Sequence, residues 1–523
     1  MHEAELFVGL LIAVVLVALA VRQLEAVPDA VALVAGGLVA GLLPFTPDIR
    51  LNPEVIFVVF LPPILYPSAF AFSFEDVRTN LRPIAGLAFG LVLATVGAIA
   101  VAAHLVGGIA WPTAFILGAV LAPTDPVAAT TVIRSAGAPS GLATTLEGES
   151  LINDGTSLTA LKIAIGTVGA SFSLWSSIGQ FALVALGGAA IGAGLAWLTA
   201  QLRRRLDDFE LESAIAVLLA YGAYIAAERA GVSGVLAVVL AGYVMGRSED
   251  ISSADTRLAG ESFWTASRFL SESILFLLVG IAFANVVSEP GVVGGGTIAG
   301  LTALVVATAI GMRLLWMFTV PYLAGAIESG RDGLAALVGP RERIVLSAGG
   351  LRGAVSVAAA LSIPLSHAGT DVADRATVIA VAIAAIVVLL VVPALVLPLV
   401  LRAVGLAGAE DHAEIARQAR AQLAAAALAR TDEIAEQEHV PGPLLQSLRE
   451  RYLNDLRIEN AAPDGDDAPD DGTATAEHFR ALRQAALQAR RDRLAELRDE
   501  GTVHGSILRD LERELDVEEL RIG

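Results

Sequence analysis

Three motifs with charged or hydroxyl-bearing side chains interrupt long apolar stretches of this sequence. In the first, Gly118-Ala-Val-Leu-Ala-Pro-Thr-Asp-Pro-Val127, two prolines flank Thr124 and Asp125. Because a proline lacks an amide donor and clashes with the preceding turn, the motif predicts a broken helix. A break frees backbone carbonyls that can bind a cation, and Asp125 can neutralise the positive N-terminus of the next helix. The alternative is a simple proline kink with a capping Asp.

The second motif, Glu147-Gly-Glu-Ser-Leu-Ile-Asn-Asp-Gly-Thr156, carries its polar groups at helical spacing. Residues four apart lie on one helix face, so Asn153 can bond Glu149, and Ser150 lies beside Asp154. The alternative, that the motif is a loop preceding the helix, suits its first residue better than Asp154.

These oxygens could form a site for a small, hard cation. The predicted ligands are the carboxylate of Asp154, the hydroxyl of Ser150 and the backbone carbonyl of Thr124. Burial disfavours the charged form of a carboxylate, so Asp154 in the membrane can hold either a proton or a cation. That competition predicts exchange of the cation for a proton, and no cofactor is expected.

The third motif, Leu346-Ser-Ala-Gly-Gly-Leu-Arg-Gly-Ala-Val-Ser356, places three glycines around Arg352. Such a run predicts a second interrupted helix. An arginine stays charged in the membrane and needs a partner, for which Glu149 is the candidate. Breaking such a pair would leave one buried charge alone, at a large cost in stability.

The composition indicates what must position these motifs. Of 523 residues, 55% are hydrophobic and 17% charged, a balance typical of membrane proteins. The net charge of −19 argues against binding of nucleic acid, and the absence of cysteine excludes disulfides and thiolate metal sites. The first apolar run follows two acids and no Lys or Arg, so it is interpreted as a retained helix rather than a signal peptide.

Apolar runs long enough to cross a bilayer predict an all-α polytopic membrane protein with about thirteen transmembrane helices. They are residues 4–22, 28–46, 54–72, 83–106, 111–133, 141–169, 176–201, 211–229, 231–247, 262–286, 293–321, 343–366 and 374–402. The broken fifth and twelfth helices are seven apart and therefore opposite in direction. Broken helices at corresponding places in two inverted repeats indicate a transporter's binding site at the membrane midplane.

Several arginine-bearing loops follow odd-numbered helices, and the arginines in them predict the orientation. Placing them in the cytoplasm puts the N-terminus outside and the C-terminus inside a cell membrane. They are Arg78, Arg82, Arg134, Arg203, Arg204, Arg205, Arg247, Arg257, Arg331, Arg341 and Arg343.

The composition changes near residue 409, which divides the chain into a transmembrane domain, 1–408, and an acidic cytoplasmic tail, 409–523. From Glu410 onward there are 26 acidic residues and 15 arginines and no spanning stretch. Ala/Arg/Leu/Glu-rich segments at 411–437, 443–459 and 474–498 predict surface helices, and 461–472 predicts a disordered acidic linker. The tail is either regulatory, with an unknown ligand, or merely solvating.

Five segments in order resemble the sodium/proton exchanger family, the first family of monovalent cation/proton antiporters, in its prokaryotic branch. They are the Pro-Thr-Asp-Pro stretch, Glu149 to Asp154, Gly350 to Ser356, Phe60-Leu-Pro-Pro-Ile64 and Ser271-Glu-Ser-Ile-Leu-Phe-Leu-Leu-Val-Gly280. The resemblance covers about residues 1–405 and not the tail.

The resemblance implies roles for these residues. Asp154 is the expected exchanging carboxylate, assisted by Thr124 and Ser150, and Glu149 is expected to pair with Arg352. An Asn at position 153, where electrogenic relatives have a second acid, implies electroneutral exchange. The family also implies a homodimer in which a core domain moves against a dimerisation domain.

The sequence therefore predicts a secondary antiporter, not an enzyme, exchanging Na+, and possibly Li+, for H+. A potassium/proton antiporter is the nearer alternative, because cation size is set by geometry that a sequence does not reveal. A cation channel is less favoured, since no selectivity-filter segment is present, and a sensor lacks an output domain. For Arg268 and Glu272, one turn apart, a structural ion pair is favoured over a role in transport.

Overall fold

A computed structural model of the chain describes most of the transmembrane region and much of the tail. The described residues are 2–21, 29–43, 53–72, 82, 84–169, 174–204, 209–247, 254–287, 294–327, 339–408, 412–437, 445–446, 448–450, 452, 473–500, 502–503 and 505–522.

Each of the thirteen predicted segments corresponds to a described helix or to a pair of helices. The unbroken ones are α1 (His2–Val21), α2 (Asp29–Gly41), α3 (Pro53–Phe70), α4 (Gly86–Leu105, π-helical over Gly86–Leu91), α6 (Ser140–Gly166), α7 (Leu174–Arg203), α8 (Phe209–Arg229), α9 (Gly234–Gly246), α10 (Ala254–Val287), α11 (Gly295–Ile327) and α13 (Arg375–Ala403). Among the described residues, six helices are long and apolar enough to cross a membrane, and five shorter ones are apolar.

The fifth and twelfth segments are each broken into two helices, as the sequence predicts. Segment five consists of α5a (Trp111–Leu121) and α5b (Val127–Ser135), and segment twelve of α12a (Pro340–Ala348) and α12b (Ala354–Leu361). A two-stranded hairpin, β1 (Ser366–His367) and β2 (Thr370–Asp371), connects α12b to α13. Both breaks therefore lie where proline or glycine weakens the helical hydrogen-bond ladder.

Some boundaries differ from the predicted ones. α10 begins at Ala254 rather than near 262, so Arg257 lies inside a helix. Arg341 and Arg343 lie in α12a, where the side chain of Arg343 is buried. These three residues were predicted to lie in loops, but each lies in the first turn of a helix, since arginine is readily accommodated in a helical backbone.

Small residues allow α2 and α10 to pack closely. A Cβ added to Gly37 would lie 2.0 Å from the carbonyl oxygen of Leu277, and one added to Gly280 would lie 2.2 Å from the carbonyl oxygen of Val34. The two backbones are therefore in direct contact, which fixes α10 against α2. Since α10 also carries Arg268 and Glu272, this packing positions an ion pair in the membrane unit.

The chain divides into two compact units. The first consists of Met1–Ile251 and Ser262–Ala409, and its largest core is formed by buried residues of the transmembrane helices. The second consists of Ser252–Glu261 and Glu410–Gly523.

The second unit contains three long helices, α14 (His412–Gln437), α15 (Thr473–Asp499) and α16 (Gly505–Ile522). They share an apolar core that includes Leu423, Leu494 and Leu511. α16 was not predicted as a helix, although its apolar residues recur at helical spacing. The predicted linker, 461–472, and most of the predicted helix 443–459 lie outside the described residues.

Candidate functional site

The break in segment five exposes the N-terminus of α5b, and Asp125 caps it. The Asp125 carboxylate accepts a hydrogen bond of 3.0 Å from the amide of Val127. A carboxylate at a helix N-terminus is stabilised by the unpaired amides and by the helix dipole. This hydrogen bond lies at the helix end that the sequence predicts Asp125 to neutralise.

The break in segment twelve lies against the break in segment five. The amide of Asp125 donates to the carbonyl of Leu351 at 3.0 Å. Arg352 is buried and donates from Nε to the carbonyl of Leu121, at the end of α5a, at 2.6 Å. Its Nη1 donates to the carbonyl of Gly350 at 3.1 Å. Arg352 thus compensates the negative C-terminus of one broken helix.

Glycine is required where the two breaks meet. A Cβ added to Gly353 would lie 1.9 Å from Oδ2 of Asp125 and 2.4 Å from its Cβ. These distances are too short for any side chain, so the close approach of α12b to Asp125 depends on Gly353.

α6 connects to the break through Thr124. The hydroxyl of Thr124 donates to Oε1 of Glu149 at 3.0 Å. Nδ2 of Asn153 donates to Oγ1 of Thr124 at 2.7 Å and to its carbonyl at 3.3 Å. Residues 149 and 153, one turn apart on α6, thereby hold the non-helical backbone at residue 124 in one place.

The predicted pairing of Glu149 with Arg352 is wrong. Glu149 instead forms a bidentate ion pair with Arg313 of α11, with N···O distances of 2.5 and 2.8 Å. Nε of Arg313 also donates to the carbonyl of Leu346 at 2.9 Å. Arg352 does not need the carboxylate because backbone carbonyls, freed by the two breaks, satisfy its donors. The only sequence signal for Arg313 was an arginine in mid-helix, and spacing cannot identify a partner on another helix.

Asp154 and Ser150 lie one turn apart on α6, and both are buried, at 7% and 8% exposure. Among the described residues, the Asp154 carboxylate forms no hydrogen bond with another group. It lies within electrostatic range of Asp125 and of Arg268 on α10. The site therefore holds two carboxylates within electrostatic range of each other, and one of them, Asp125, accepts the hydrogen bond at the start of α5b. Repulsion between two such carboxylates favours binding of a proton or a cation.

The polar atoms of Thr124 and Asn153 differ in whether they are already hydrogen-bonded. The Thr124 hydroxyl is bonded to both Glu149 and Asn153, whereas its carbonyl accepts one bond, from Asn153, and is the better candidate ligand. Oδ1 of Asn153 is buried without a hydrogen-bond partner among the described residues. No group of three or more His, Cys, Asp or Glu side chains in the described part of the chain is arranged to hold a metal ion.

This architecture, in which two interrupted helices meet inside a bundle and carry buried carboxylates nearby, defines the chain as a membrane protein of the secondary-transporter class. The profile of the family described as sodium/hydrogen exchanger, transmembrane, matches residues 10–403. The chain belongs to the sodium/hydrogen exchanger family.

Relatives differ in how much of the chain they match. An uncharacterized Na+/H+ exchanger of Mycobacterium tuberculosis is 32% identical over 522 residues, covering 98% of this chain and 95% of the relative. The Na+/H+ antiporter NhaH of Halobacillus dabanensis is 31% identical over 388 residues, covering 71% of this chain and 91% of the relative. The mycobacterial alignment therefore includes the tail.

The fold is similar to that of a solved antiporter. The sodium proton antiporter MjNhaP1 from Methanocaldococcus jannaschii matches with a TM-score of 0.61 at 21% identity. The match covers 77% of this chain and the whole of that chain.

Proposed function

We propose that the protein exchanges Na+ for H+ across a membrane by competition of the two ions for Asp154. The observation that carries the proposal is the buried carboxylate of Asp154 beside two interrupted helices, in a chain of the exchanger family. A carboxylate in this position is more stable when neutralised by a proton or by a cation than when it is charged and unaccompanied. Because one ion displaces the other, movement of one is coupled to countermovement of the other.

The surrounding residues support binding rather than chemistry. Ser150 and the Thr124 carbonyl are the proposed further ligands of the monovalent cation. Asn153 and Glu149 hold Thr124, and Arg313 neutralises Glu149. Asp125 and Arg352 stabilise the two broken helices between which the cation is bound.

The exchange is proposed to be electroneutral, one Na+ for one H+. Asn153 carries no charge, Glu149 is balanced by Arg313, and Asp125 is engaged as a helix cap. Asp154 is then the one carboxylate of this group that binds a proton and Na+ in turn. An imposed membrane potential should leave the transport rate unchanged once proton leaks are subtracted, and a rate that follows the potential would contradict this stoichiometry.

The choice of cation is tested with a panel of ions. In vesicles with an acid lumen, external NaCl, LiCl or KCl is added while the internal pH is followed. The proposal expects Na+, and also Li+, to dissipate the gradient. Dissipation by K+ alone would favour the potassium/proton alternative, and Na+ flux that requires no proton countermovement would favour a channel.

The cellular setting follows from the same function. The protein is proposed to lie in the cell membrane with its N-terminus outside and its tail in the cytoplasm, to form a homodimer, and to serve pH and sodium homeostasis. Alternating access would move the unit that carries the broken helices against a dimerisation unit. If the tail is autoinhibitory, deletion of the residues after 410 should raise activity or shift its pH profile.

A further inference from the structure

An ion pair on α10, which is not one of the broken helices, lies within electrostatic range of Asp154. Nε of Arg268 donates to Oε1 of Glu272 at 2.7 Å, one turn further along α10. Nη1 of Arg268 donates to Oγ of Ser68 on α3 at 3.1 Å. That hydroxyl in turn donates to the carbonyl of Ile64 at 3.0 Å. The guanidinium is therefore held from two sides, by its own helix and by α3.

The guanidinium is within electrostatic range of both carboxylates at the break. The charge of Arg268 acts on Asp125 and on Asp154, and Glu272 is within range of Asp125. The other described charges near the breaks are bonded to groups of their own. Glu149 is paired with Arg313, and Arg352 is bonded to backbone carbonyls. Arg268 is thus a permanent positive charge within electrostatic range of the carboxylate at which a transported cation would bind.

We propose that Arg268 is a built-in countercharge of the cation site, and that Glu272 and Ser68 hold it where it sets the affinity of Asp154 for Na+ and for H+ together. A fixed positive charge weakens the binding of either cation, and arginine keeps that charge at every physiological pH. Glu272 offsets part of the effect, because its negative charge lies against the guanidinium. Arg268 is an affinity-determining residue in this account, which rests on the proposed exchange at Asp154.

The proposal makes a prediction that separates it from a purely structural ion pair. If Na+ and H+ compete for one carboxylate, a nearby charge changes both dissociation constants by the same factor. In acid, the half-saturating Na+ concentration depends on the ratio of the two constants and stays the same. In alkaline solution it depends on the Na+ constant alone and changes by the full factor. A loss of fold or of mobility would not produce this pattern.

The experiment measures the half-saturating Na+ concentration across a pH series in vesicles that contain the full-length protein. Arg268→Gln should lower the half-saturating Na+ concentration about tenfold at the alkaline end of the series. The onset of proton competition, which is the pH below which protons compete with Na+, should rise by about one pH unit. Glu272→Gln leaves the guanidinium uncompensated, so it should raise the alkaline value and move the onset down. The double variant should lie between the two single variants.

The ion pair Arg134–Glu147 provides a matched control. Its N···O distance is also 2.7 Å and its two side chains are each 26% exposed, against 28% and 24% for Arg268 and Glu272. Arg134→Gln and Glu147→Gln should leave both the alkaline half-saturation and the onset unchanged.

Each outcome bears on one claim. Opposite shifts in the two single variants, with an unchanged acid limit, support the countercharge. Shifts in the same direction, or none, overturn it, and so does an equal shift in the control pair. If Arg268→Gln does not insert into the membrane, Glu272→Gln alone decides by the sign of its shift. Absence of Na+-driven proton movement in the wild type, or full activity of Asp154→Asn, would instead overturn the proposed function.

Discussion

At the residue scale, the Glu149–Arg313 ion pair is a buried, bidentate interaction that anchors Glu149 beside the site. Both side chains are buried, and the pair is bidentate with an additional bond from Arg313 to a backbone carbonyl. Removal of one partner from a buried ion pair leaves the other charge uncompensated, which typically costs about 3–5 kcal/mol. The pair thus fixes α6 against α11 and holds Thr124 through Glu149.

Glu149→Gln should therefore lower the stability of the detergent-solubilised protein by about 3–5 kcal/mol. Arg134→Gln, which breaks a half-exposed pair, should cost less than about 1 kcal/mol. The measurement is the free energy of unfolding, or the shift of the thermal midpoint, of each variant.

A double-mutant cycle distinguishes the two candidate partners of Glu149. Coupling between Glu149→Gln and Arg313→Gln should be strong, so the double variant should be more stable than the sum of the single losses predicts. The combination of Glu149→Gln with Arg352→Gln should be closer to additive. Strong coupling only in the second pair would contradict the geometry.

Part of the site was predictable at this scale and part was not. The helix end at Asp125 could be predicted, because the two prolines that flank this residue act on the local backbone. The partners of Arg352 could not be predicted, because two arginines and one glutamate buried near two breaks allow several pairings. Backbone carbonyls freed by the breaks satisfy Arg352, and only the three-dimensional arrangement identifies them. Arg268 was predicted to pair with Glu272, and that pair is present, but its electrostatic influence on Asp154 was not foreseen.

At the scale of elements, the two interrupted helices are positioned by each other. Their direct contacts are the hydrogen bond from Asp125 to Leu351 and the bond from Arg352 to Leu121. Gly353 permits them because it has no side chain facing Asp125. The sequence predicted both breaks, since proline and glycine act locally, whereas the contact between segments more than 200 residues apart depends on packing.

Gly353→Ala should separate α12b from Asp125 and reduce Na+/H+ exchange strongly. Its Cβ would lie 1.9 Å from a carboxylate oxygen, so one helix must shift. Gly311→Ala on α11 is the control, because a Cβ there meets nothing within 4 Å. Exchange is measured in vesicles with equal amounts of inserted protein, and normal transport by Gly353→Ala would contradict the close approach of the two breaks.

At the scale of the whole molecule, the chain combines a transmembrane exchanger unit with a second, helical unit. The family profile ends at residue 403, while the mycobacterial relative aligns over nearly the whole chain. Composition alone predicted where the transmembrane region ends and the tail begins, but not that α14, α15 and α16 share a core. Within the second unit, Asp516 is buried and bonded to Arg257 and Arg491.

Asp516→Asn should loosen this second unit, because two arginines lose their shared carboxylate. We expect faster cleavage of the tail in limited proteolysis of the full-length protein. The expected loss in the free energy of unfolding of the second unit is about 1–3 kcal/mol. Asp510→Asn, at an exposed position of the same helix, should be cleaved like the wild type. Equal cleavage of all three proteins would contradict a structural role for Asp516.

The central claim, that Na+ and H+ exchange at Asp154, is tested most directly by Na+-induced proton movement in sealed vesicles with an acid lumen. The wild type and Glu147→Gln, which alters an acid two turns away on the same helix, should both alkalinise the lumen when Na+ is added. Asp154→Asn, inserted in equal amount, should do nothing, because an amide can neither release a proton nor neutralise a cation. The wild-type rate should also fall as the external medium is acidified, since protons then compete with Na+. Exchange by Asp154→Asn at the wild-type rate would contradict the account.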